Sequence, residues 1–470
     1  MAKNINEDFL RLAGFEEEMP EYLPEWRKAS EKLGLTEDDV EFATKEWIPA
    51  HFEVALEGVR KGLGCLIKEA IDLTKANEYK NTGVKIVYGI LPAMLHYYYA
   101  LKLTAPDKVY VSFPDVFLVE ATNAIFHKLN PYLEEAERSG IPCGCRHCAL
   151  NKTRYIARRR GLIPSPDISW IWGFICDEGP KTDEFIRVYH DPEWKTYITR
   201  IPHDQSLGTV EDEDVERVEY LANQMRDGFE FVQKEIGIKV ADEKIKEVQN
   251  MWQRYAAKVA ELSHLMASAP QPLSGLSARL FPSPLGMPFN TGIEEMEKAL
   301  DIIIREVKQR VADKEGVLPE GAPRLMLSFI PFCNPWIPKM FEQNGVGATF
   351  SELHMLVEKQ LKPPTFEDPY MAAAEAWLRR SEAVNPGYKA QQICEKLETY
   401  GADGIVFGFF DFDRWLGSDH RLLARIVEEK TKLPVFYIEG DIYEDRDYSP
   451  EALRTRIESI CEIVKIRKSG

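Results

Sequence analysis

Short apolar runs alternate with stretches of helical periodicity along most of the chain, and this alternation constrains the fold more than any other feature. Runs rich in β-branched and aromatic residues, separated by helices, are typical of a parallel sheet covered by helices on both faces. They fall into two series: VKIVYGI (84–90), KVYVSF (108–113) and DISWIWGFIC (167–176), then RLMLSFI (324–330), GVGATFSE (345–352), DGIVFGFF (403–410) and LPVFYIEG (433–440). The sequence therefore predicts two doubly wound α/β domains of the Rossmann or flavodoxin type.

The segments outside the two series are helical in pattern. The chain has 470 residues, which is too long for one hydrophobic core. Residues 1–82 are charged, show helical spacing of apolar residues and contain no strand run, so they predict a helical N-terminal cap. We expect residues 83–208 to form the first α/β domain, residues 209–320 a helical connecting segment and residues 321–470 the second α/β domain.

The overall charge and the N-terminus argue against several classes of protein. The net charge is −17 and the isoelectric point is near 5.2, which disfavours a nucleic-acid-binding surface. No uninterrupted apolar stretch reaches the ~18 residues that a membrane span needs, and the acidic N-terminus has no signal-peptide pattern. We expect a cytoplasmic protein, with reduced thiols, that binds neither nucleic acid nor a membrane.

Cysteines are concentrated in one short stretch, IPCGCRHCALNKTRY, which holds three of the chain's eight. Cys143, Cys145 and Cys148 have the spacing C-x-C-x-x-C, and Cys176 ends a predicted strand of the first series. Functional groups of doubly wound domains commonly follow the carboxyl ends of strands. Because disulfides are disfavoured in a reducing compartment, these four thiols predict a zinc or iron–sulfur site.

Four other residues near predicted strand ends or in the cysteine motif have a structural interpretation beside a functional one. His147 lies inside the motif, but a histidine there is more often a neighbour of the site than a ligand. Asp411 and Asp413 follow a strand of the second series and could bind a metal, transfer protons or cap the next helix. Cys333 lies between two prolines after another strand, where a shaped loop and a buried thiol are equally consistent with the sequence.

The one basic run of the chain, Arg154 to Arg160, directly follows the cysteine motif. It fits the C-terminal end of a helix before Gly161, where arginine complements the helix dipole, and it could instead hold an anionic ligand. The remaining cysteines are isolated on apolar helical faces and predict core filling: Cys65, Cys394 and Cys461. There is no nucleophile elbow, phosphate-binding loop or dinucleotide-binding glycine pattern.

The segments from about Gly83 to the C-terminus, in the order in which they occur along the chain, resemble the superfamily of 2-hydroxyacyl-CoA dehydratases and class I benzoyl-CoA reductases. Three stretches carry the resemblance: a strand, turn and helix in VKIVYGILPAMLHYYYALKLTAPD, a helix opened by a cysteine in CALNKTRYIARRRG, and a strand ending in a second cysteine in PSPDISWIWGFIC. The C-terminal ADGIVFGFFDFDRW and LPVFYIEGDIYEDRDYSPEALRTRIES are especially similar to the larger catalytic subunits of the reductase branch.

The resemblance implies an oxygen-sensitive enzyme that works by low-potential electron transfer to an acyl-CoA thioester. It also implies a 4Fe–4S cluster held by three cysteines, a homologous partner subunit, and an ATP-dependent activator or other electron donor. Cys148 and Cys176 stand at two of the family's cysteine positions, whereas Asp413 stands where the third falls. We therefore expect Cys143 or Cys145 to complete the cluster, and Asp413 to be a ligand or a proton donor.

The same resemblance makes three arginines candidates for binding the phosphates of CoA: Arg158, Arg159 and Arg160. Two other functions stay open at this point. The cysteines could bind zinc that polarises an acyl-CoA carbonyl, or the chain could be a cluster-less partner of a homologous catalytic subunit. The sequence identifies neither the acyl group nor the choice between dehydration and reduction.

Overall fold

The computed structural model shows strands and helices alternating in the predicted order. It describes residues 4–89, 94–141, 147–173, 178–200, 215–328, 330–349, 355–380, 386–409, 414–446 and 449–469. The strands are β1 (Lys85–Gly89), β2 (Val109–Ser112), β3 (Ile168–Gly173), β4 (Thr196–Arg200), β5 (Arg324–Ser328), β6 (Gly347–Thr349), β7 (Ile405–Phe409) and β8 (Val435–Glu439).

The helices cover both faces of the sheets and fill the segments between them. They are α1 (Ile5–Leu12), α2 (Met19–Lys32), α3 (Glu37–Phe42), α4 (Ile48–His51), α5 (Glu57–Leu73), α6 (Ala76–Asn81), α7 (Leu95–Thr104), α8 (Pro114–Val119), α9 (Asn130–Arg138), α10 (Ala149–Arg159), α11 (Glu178–Tyr189), α12 (Val215–Ile236), α13 (Asp242–Met266), α14 (Gly275–Ala278), α15 (Glu294–Asp313), α16 (Trp336–Gln343), α17 (Glu358–Leu361), α18 (Pro369–Leu378), α19 (Pro386–Thr399), α20 (Arg414–Thr431) and α21 (Pro450–Ser469). Among the described helices, none combines the length and apolar character that crossing a membrane requires.

The strands form two parallel sheets with the same topology. The order is β2-β1-β3-β4 in the first sheet and β6-β5-β7-β8 in the second. In the first sheet Val87 pairs with Val111 on one side and Ile168 on the other, and in the second Met326 pairs with Thr349 and Ile405. The strand order reverses between β1 and β3 and again between β5 and β7, so each sheet has a switch point. The predicted fold class is confirmed.

Strand β4 was not among the predicted strands. It lies at the edge of the first sheet, where it pairs with β3 alone. Its side chains are mostly half-buried or exposed, and Ile198 is 45% exposed. An edge strand needs no continuous apolar run, so its sequence, TYITR, resembles a polar loop.

Hydrophobic packing joins the N-terminal helices to the first sheet. Phe9 of α1 packs against Trp26 of α2 and against Phe126, with ring centroids 4.6 and 5.1 Å apart. Phe229 of α12 stacks on Trp170 of β3 at 5.8 Å. The second sheet has a separate apolar cluster on each face, one with α16 and α21 and the other with α19 and α20. The helical character of the N-terminal segment is as predicted, whereas the three boundaries between the four predicted segments stay a prediction.

A fully buried arginine fixes α10 against the first sheet. Arg154 donates from Nη1 to the carbonyl of Gly89, the last residue of β1, at 2.8 Å and from Nη2 to Oγ of Ser169 in β3 at 2.9 Å. Its Nε lies 2.8 Å from Asp183 of α11 and its Nη1 lies 3.3 Å from Asp115 of α8. Since a buried charge is tolerated only when it is paired, these contacts from four elements determine where α10 lies.

We expect Gly408→Ala to destabilise the second sheet, because a methyl group on Gly408 of β7 would overlap the carbonyl of Ile330. Overpacking of this kind typically costs about 1–3 kcal/mol of unfolding free energy. Gly286→Ala is the matched control, since the nearest atom to its added methyl group is 3.7 Å away. Thermal unfolding of both variants checks this, and equal melting temperatures would contradict the packing argument.

Asp115 should make stability depend on pH. Burial raises the pKa of the Asp115 carboxyl to about 6, against the opposing effect of Arg154. Because this pKa is above that of an unfolded aspartate, the stabilising contribution is complete below pH ~4 and is lost as the pH rises to about 6. The unfolding free energy of the wild type minus that of Asp115→Asn should therefore fall between pH 4 and 6. A difference that stays constant across this range would contradict the assignment.

Candidate functional site

The carboxyl ends of the strands at the two switch points define the candidate site. Ligands of doubly wound sheets bind in the crevice outside these ends. In the sequence, Cys176 follows β3 of the first sheet and Asp413 follows β7 of the second. The predicted site residues Cys143, Cys145, Cys176 and Asp413 lie outside the described residues. Cys148 is the predicted metal ligand that the structure describes.

Cys148 lies at the N-terminal end of α10, as the sequence predicts. It is the N-cap residue, it has extended backbone dihedrals, and its side chain makes no capping bond of its own. The residue is 7% exposed. A buried sulfur at the positive end of a helix is in a favourable place to carry negative charge as a thiolate ligand.

Glu178 and Asn151 surround the start of α10. Glu178, the first residue of α11, accepts a hydrogen bond at Oε2 from the backbone N–H of Cys148 at 2.9 Å, and so supplies the missing cap. The side-chain amide of Asn151 donates to the same oxygen at 2.9 Å and to Sγ of Cys148 at 3.2 Å. In the sequence, Glu178 follows the second predicted ligand, Cys176, by two residues.

The surroundings of Cys148 fit a thiolate-bound metal centre. The side-chain amide of Asn151 is directed at the sulfur of Cys148, which stands at the N-terminus of α10. No group of three or more potential ligands comes together within the described ranges, where Cys148 is the one member of the predicted set. His147, which precedes it, is half-buried.

The segment that follows β8 of the second sheet contacts the helices at this edge of the first sheet. Lys152 of α10 lies 2.8 Å from Glu137 of α9 and 3.6 Å from Glu444. Arg446 pairs with the same two carboxylates, at 2.8 and 2.6 Å. The amide of Asn123 donates to the carbonyl of Tyr443 at 2.8 Å. These contacts bring the carboxyl edges of the two sheets together.

Asp441 is a buried acid in this segment. Burial raises its pKa well above the ordinary value, and the nearby carboxylates Glu444 and Glu178 raise it further, whereas Lys152 lowers it. The raised pKa favours the protonated form relative to an exposed aspartate, and the group lies close to the residue that caps α10. Such a group can donate a proton within a water-excluded site.

The arginines predicted for phosphate binding lie at the other end of α10. Ten residues of helix separate Arg158 from Cys148, about 15 Å along the axis. Arg158 pairs with Asp191 at 2.6 Å and Arg160 with Glu135 at 2.5 Å, while Arg159 is exposed. These ion pairs give two of the arginines a structural use, and a role in binding CoA stays a prediction.

The other described cysteines are structural in their surroundings. Cys333 is 5% exposed, its carbonyl accepts a hydrogen bond from Arg279 at 3.0 Å, and burial raises the pKa of its thiol to about 12. Burial likewise raises the thiol pKa of Cys65 and Cys461 to about 12. Cys394 is half-buried in α19, so it is less enclosed than the predicted core position.

A pocket beside α7 contains a histidine that the sequence did not single out. His96 lies in the first turn of the helix that follows β1, and Met94, Trp252, Trp377 and Arg380 line the same pocket. Burial lowers the pKa of His96 to about 4, and the charge of Arg380 adds to this.

The chain is similar to known proteins over most of its length. The family model described as 2-hydroxyglutaryl-CoA dehydratase, D-component, matches residues 115–464. One of the subunits of the benzoyl-CoA reductase of Thauera aromatica is 24% identical over 178 residues, which are 35% of this chain and 40% of that protein. The (R)-phenyllactyl-CoA dehydratase alpha subunit of Clostridium sporogenes is 23% identical over 314 residues, 66% of this chain and 73% of that protein.

The family match begins in α8 and ends in α21, so it contains β3 to β8 and the whole candidate site apart from the end of β1. It covers well over half of the chain. The resemblance inferred from the sequence is therefore confirmed, and the chain belongs to the 2-hydroxyglutaryl-CoA dehydratase D-component family.

Proposed function

We propose that this chain is the iron–sulfur subunit of an acyl-CoA dehydratase or reductase. The observation that carries the proposal is the position of Cys148. In a member of this family it stands at the N-terminus of α10, and its backbone N–H donates a hydrogen bond to Glu178, the residue that follows the Cys176 segment. Both relatives are named as single subunits, one of a reductase and one of a dehydratase. We infer that this chain likewise works with a homologous subunit on a CoA thioester.

In this proposal Cys148 and Cys176 hold a 4Fe–4S cluster, with Cys143 or Cys145 as a third thiolate. Such a cluster supplies a low-potential electron to the thioester carbonyl, and an ATP-dependent activator or another donor provides that electron. The protein's own contribution is to exclude water and to position proton donors between the two sheets. Asp413 and the buried acid Asp441 are the candidates for that role.

Electron stoichiometry separates the two reactions of the family. Loss of water from a 2-hydroxyacyl thioester leaves the redox state of the product unchanged, so the injected electron is recovered. Reduction of a ring or an alkene consumes two electrons and two protons for each product. The amount of reductant consumed for each product formed therefore assigns the reaction type. It can be measured with a panel of acyl-CoA thioesters.

Metal content tests the proposal directly. The chain purified without oxygen should contain iron and acid-labile sulfide, and Cys148→Ser and Cys176→Ser should each lose most of both, because a hydroxyl is a poor ligand for such a cluster. Cys394→Ser is the matched control and should retain the wild-type iron content, since Cys394 is half-buried in α19 of the second sheet. Zinc in place of iron, or no metal in the wild type, would overturn the proposal in favour of a zinc enzyme or a cluster-less partner.

Asp413 is expected to be essential for turnover. Asp413→Ala should abolish activity and leave the melting temperature unchanged, whereas Asp413→Cys should retain the iron by recreating the family's cysteine set. Asp411→Ala serves as the control and should remain active. If Asp413 only caps α20, its alanine variant loses about 1 kcal/mol of stability and keeps its activity, and that result would exclude the catalytic assignment.

A further inference from the structure

We propose that Asn151 and Glu178 tune the reduction potential of the bound cluster by acting on the Cys148 sulfur in opposite directions. The inference rests on the proposed function, since it assigns roles to two residues around one of its ligands. Neither residue is itself expected to be a ligand. Both are positioning residues that act through Cys148.

The contact between Asn151 and the sulfur is specific in geometry. Asn151 follows Cys148 by three residues on α10, which places the two side chains on the same face of the helix. Its Nδ2 lies 3.2 Å from Sγ of Cys148 and 2.9 Å from Oε2 of Glu178. A side-chain amide has two N–H groups, so it can donate one to the sulfur and one to the carboxylate.

An N–H donor directed at a ligand sulfur favours the reduced form of a cluster. Reduction adds negative charge that is partly carried by the sulfurs, and the donor stabilises that charge. Asn151 is only 3% exposed, so little water competes for the sulfur or screens the interaction. We therefore expect Asn151 to raise the reduction potential.

The carboxylate of Glu178 acts in the other direction. It is fixed at the start of α10 by two donors, the backbone N–H of Cys148 and the amide of Asn151, each at 2.9 Å. A negative charge held this close to the ligand opposes the addition of an electron. Glu178 should therefore lower the potential, which suits an enzyme that must reduce a thioester.

The two residues thus form a matched pair in which Asn151 also restrains the charge of Glu178. A purely structural role for the same contacts makes a different prediction. If they only cap α10 and hold Cys148 in place, then removing either one should weaken cluster binding in the same way, without shifts of opposite sign. The sign of the potential change therefore distinguishes the two interpretations.

The test is an anaerobic redox titration of the full-length, iron-loaded chain, followed by electron paramagnetic resonance. Asn151→Leu has nearly the shape of asparagine but removes the donor, and its midpoint potential should become more negative. Glu178→Gln keeps a carbonyl acceptor for the N–H of Cys148 and removes the charge, so its potential should become more positive.

Asn77→Leu is the matched control at the opposite end of the same helix. Asn77 donates to the carbonyls of Gly161 and Leu162, at 2.9 and 3.0 Å, just beyond the last turn of α10. The substitution removes amide hydrogen bonds that help to fix the helix without touching its start. The midpoint potential of this variant should equal that of the wild type.

Shifts of the same sign in Asn151→Leu and Glu178→Gln, or no shift in either, would overturn the inference. If Asn151→Leu fails to hold the cluster, the midpoint potentials of Asn151→Ser and Glu178→Gln are compared with that of the wild type instead. A Glu178→Gln potential at or below the wild-type value rejects the inference. A wild-type chain without iron overturns the proposed function itself. An iron-loaded wild type with unshifted variants overturns this inference alone.

Discussion

The buried guanidinium of Arg154 is the interaction on which the geometry of the site depends. Its charge has no access to water, so it must be balanced by Asp115 and Asp183 and by polar atoms at the end of β1 and in β3. Cys148 precedes Arg154 by six residues on the same rigid helix, about 9 Å along its axis. The arginine therefore fixes the position of the sulfur relative to the sheet without contacting it.

A second set of charges connects the two sheets. Lys152 and Arg446 share the carboxylates of Glu137 and Glu444, so the helices of the first sheet and the segment after β8 are joined by alternating charges. Burial beside them raises the pKa of Asp441 well above its ordinary value. The result is a region of fixed, partly buried charges with a buried acid beside them.

Sequence reasoning predicted the parts of this structure that depend on local pattern. The central strands have continuous apolar runs because both their faces are covered, and Cys148 precedes a helical pattern that ends at Gly161. The edge strand β4 was not predicted, because its side chains are mostly half-buried or exposed and its sequence therefore has no continuous apolar run. The roles of Asn151 and Glu178 could not be predicted, since Glu178 approaches Cys148 from 30 residues away only after the sheet has formed.

The close approach of Gly408 to the Ile330 carbonyl has a consequence for how β7 and the segment after β5 can move. There is no side chain between β7 and the segment that follows β5 at this point, so the two backbones lie directly against each other. No side-chain rotamer can change at this point to absorb a displacement, so a shift of β7 has to be accompanied by a shift of the segment that follows β5.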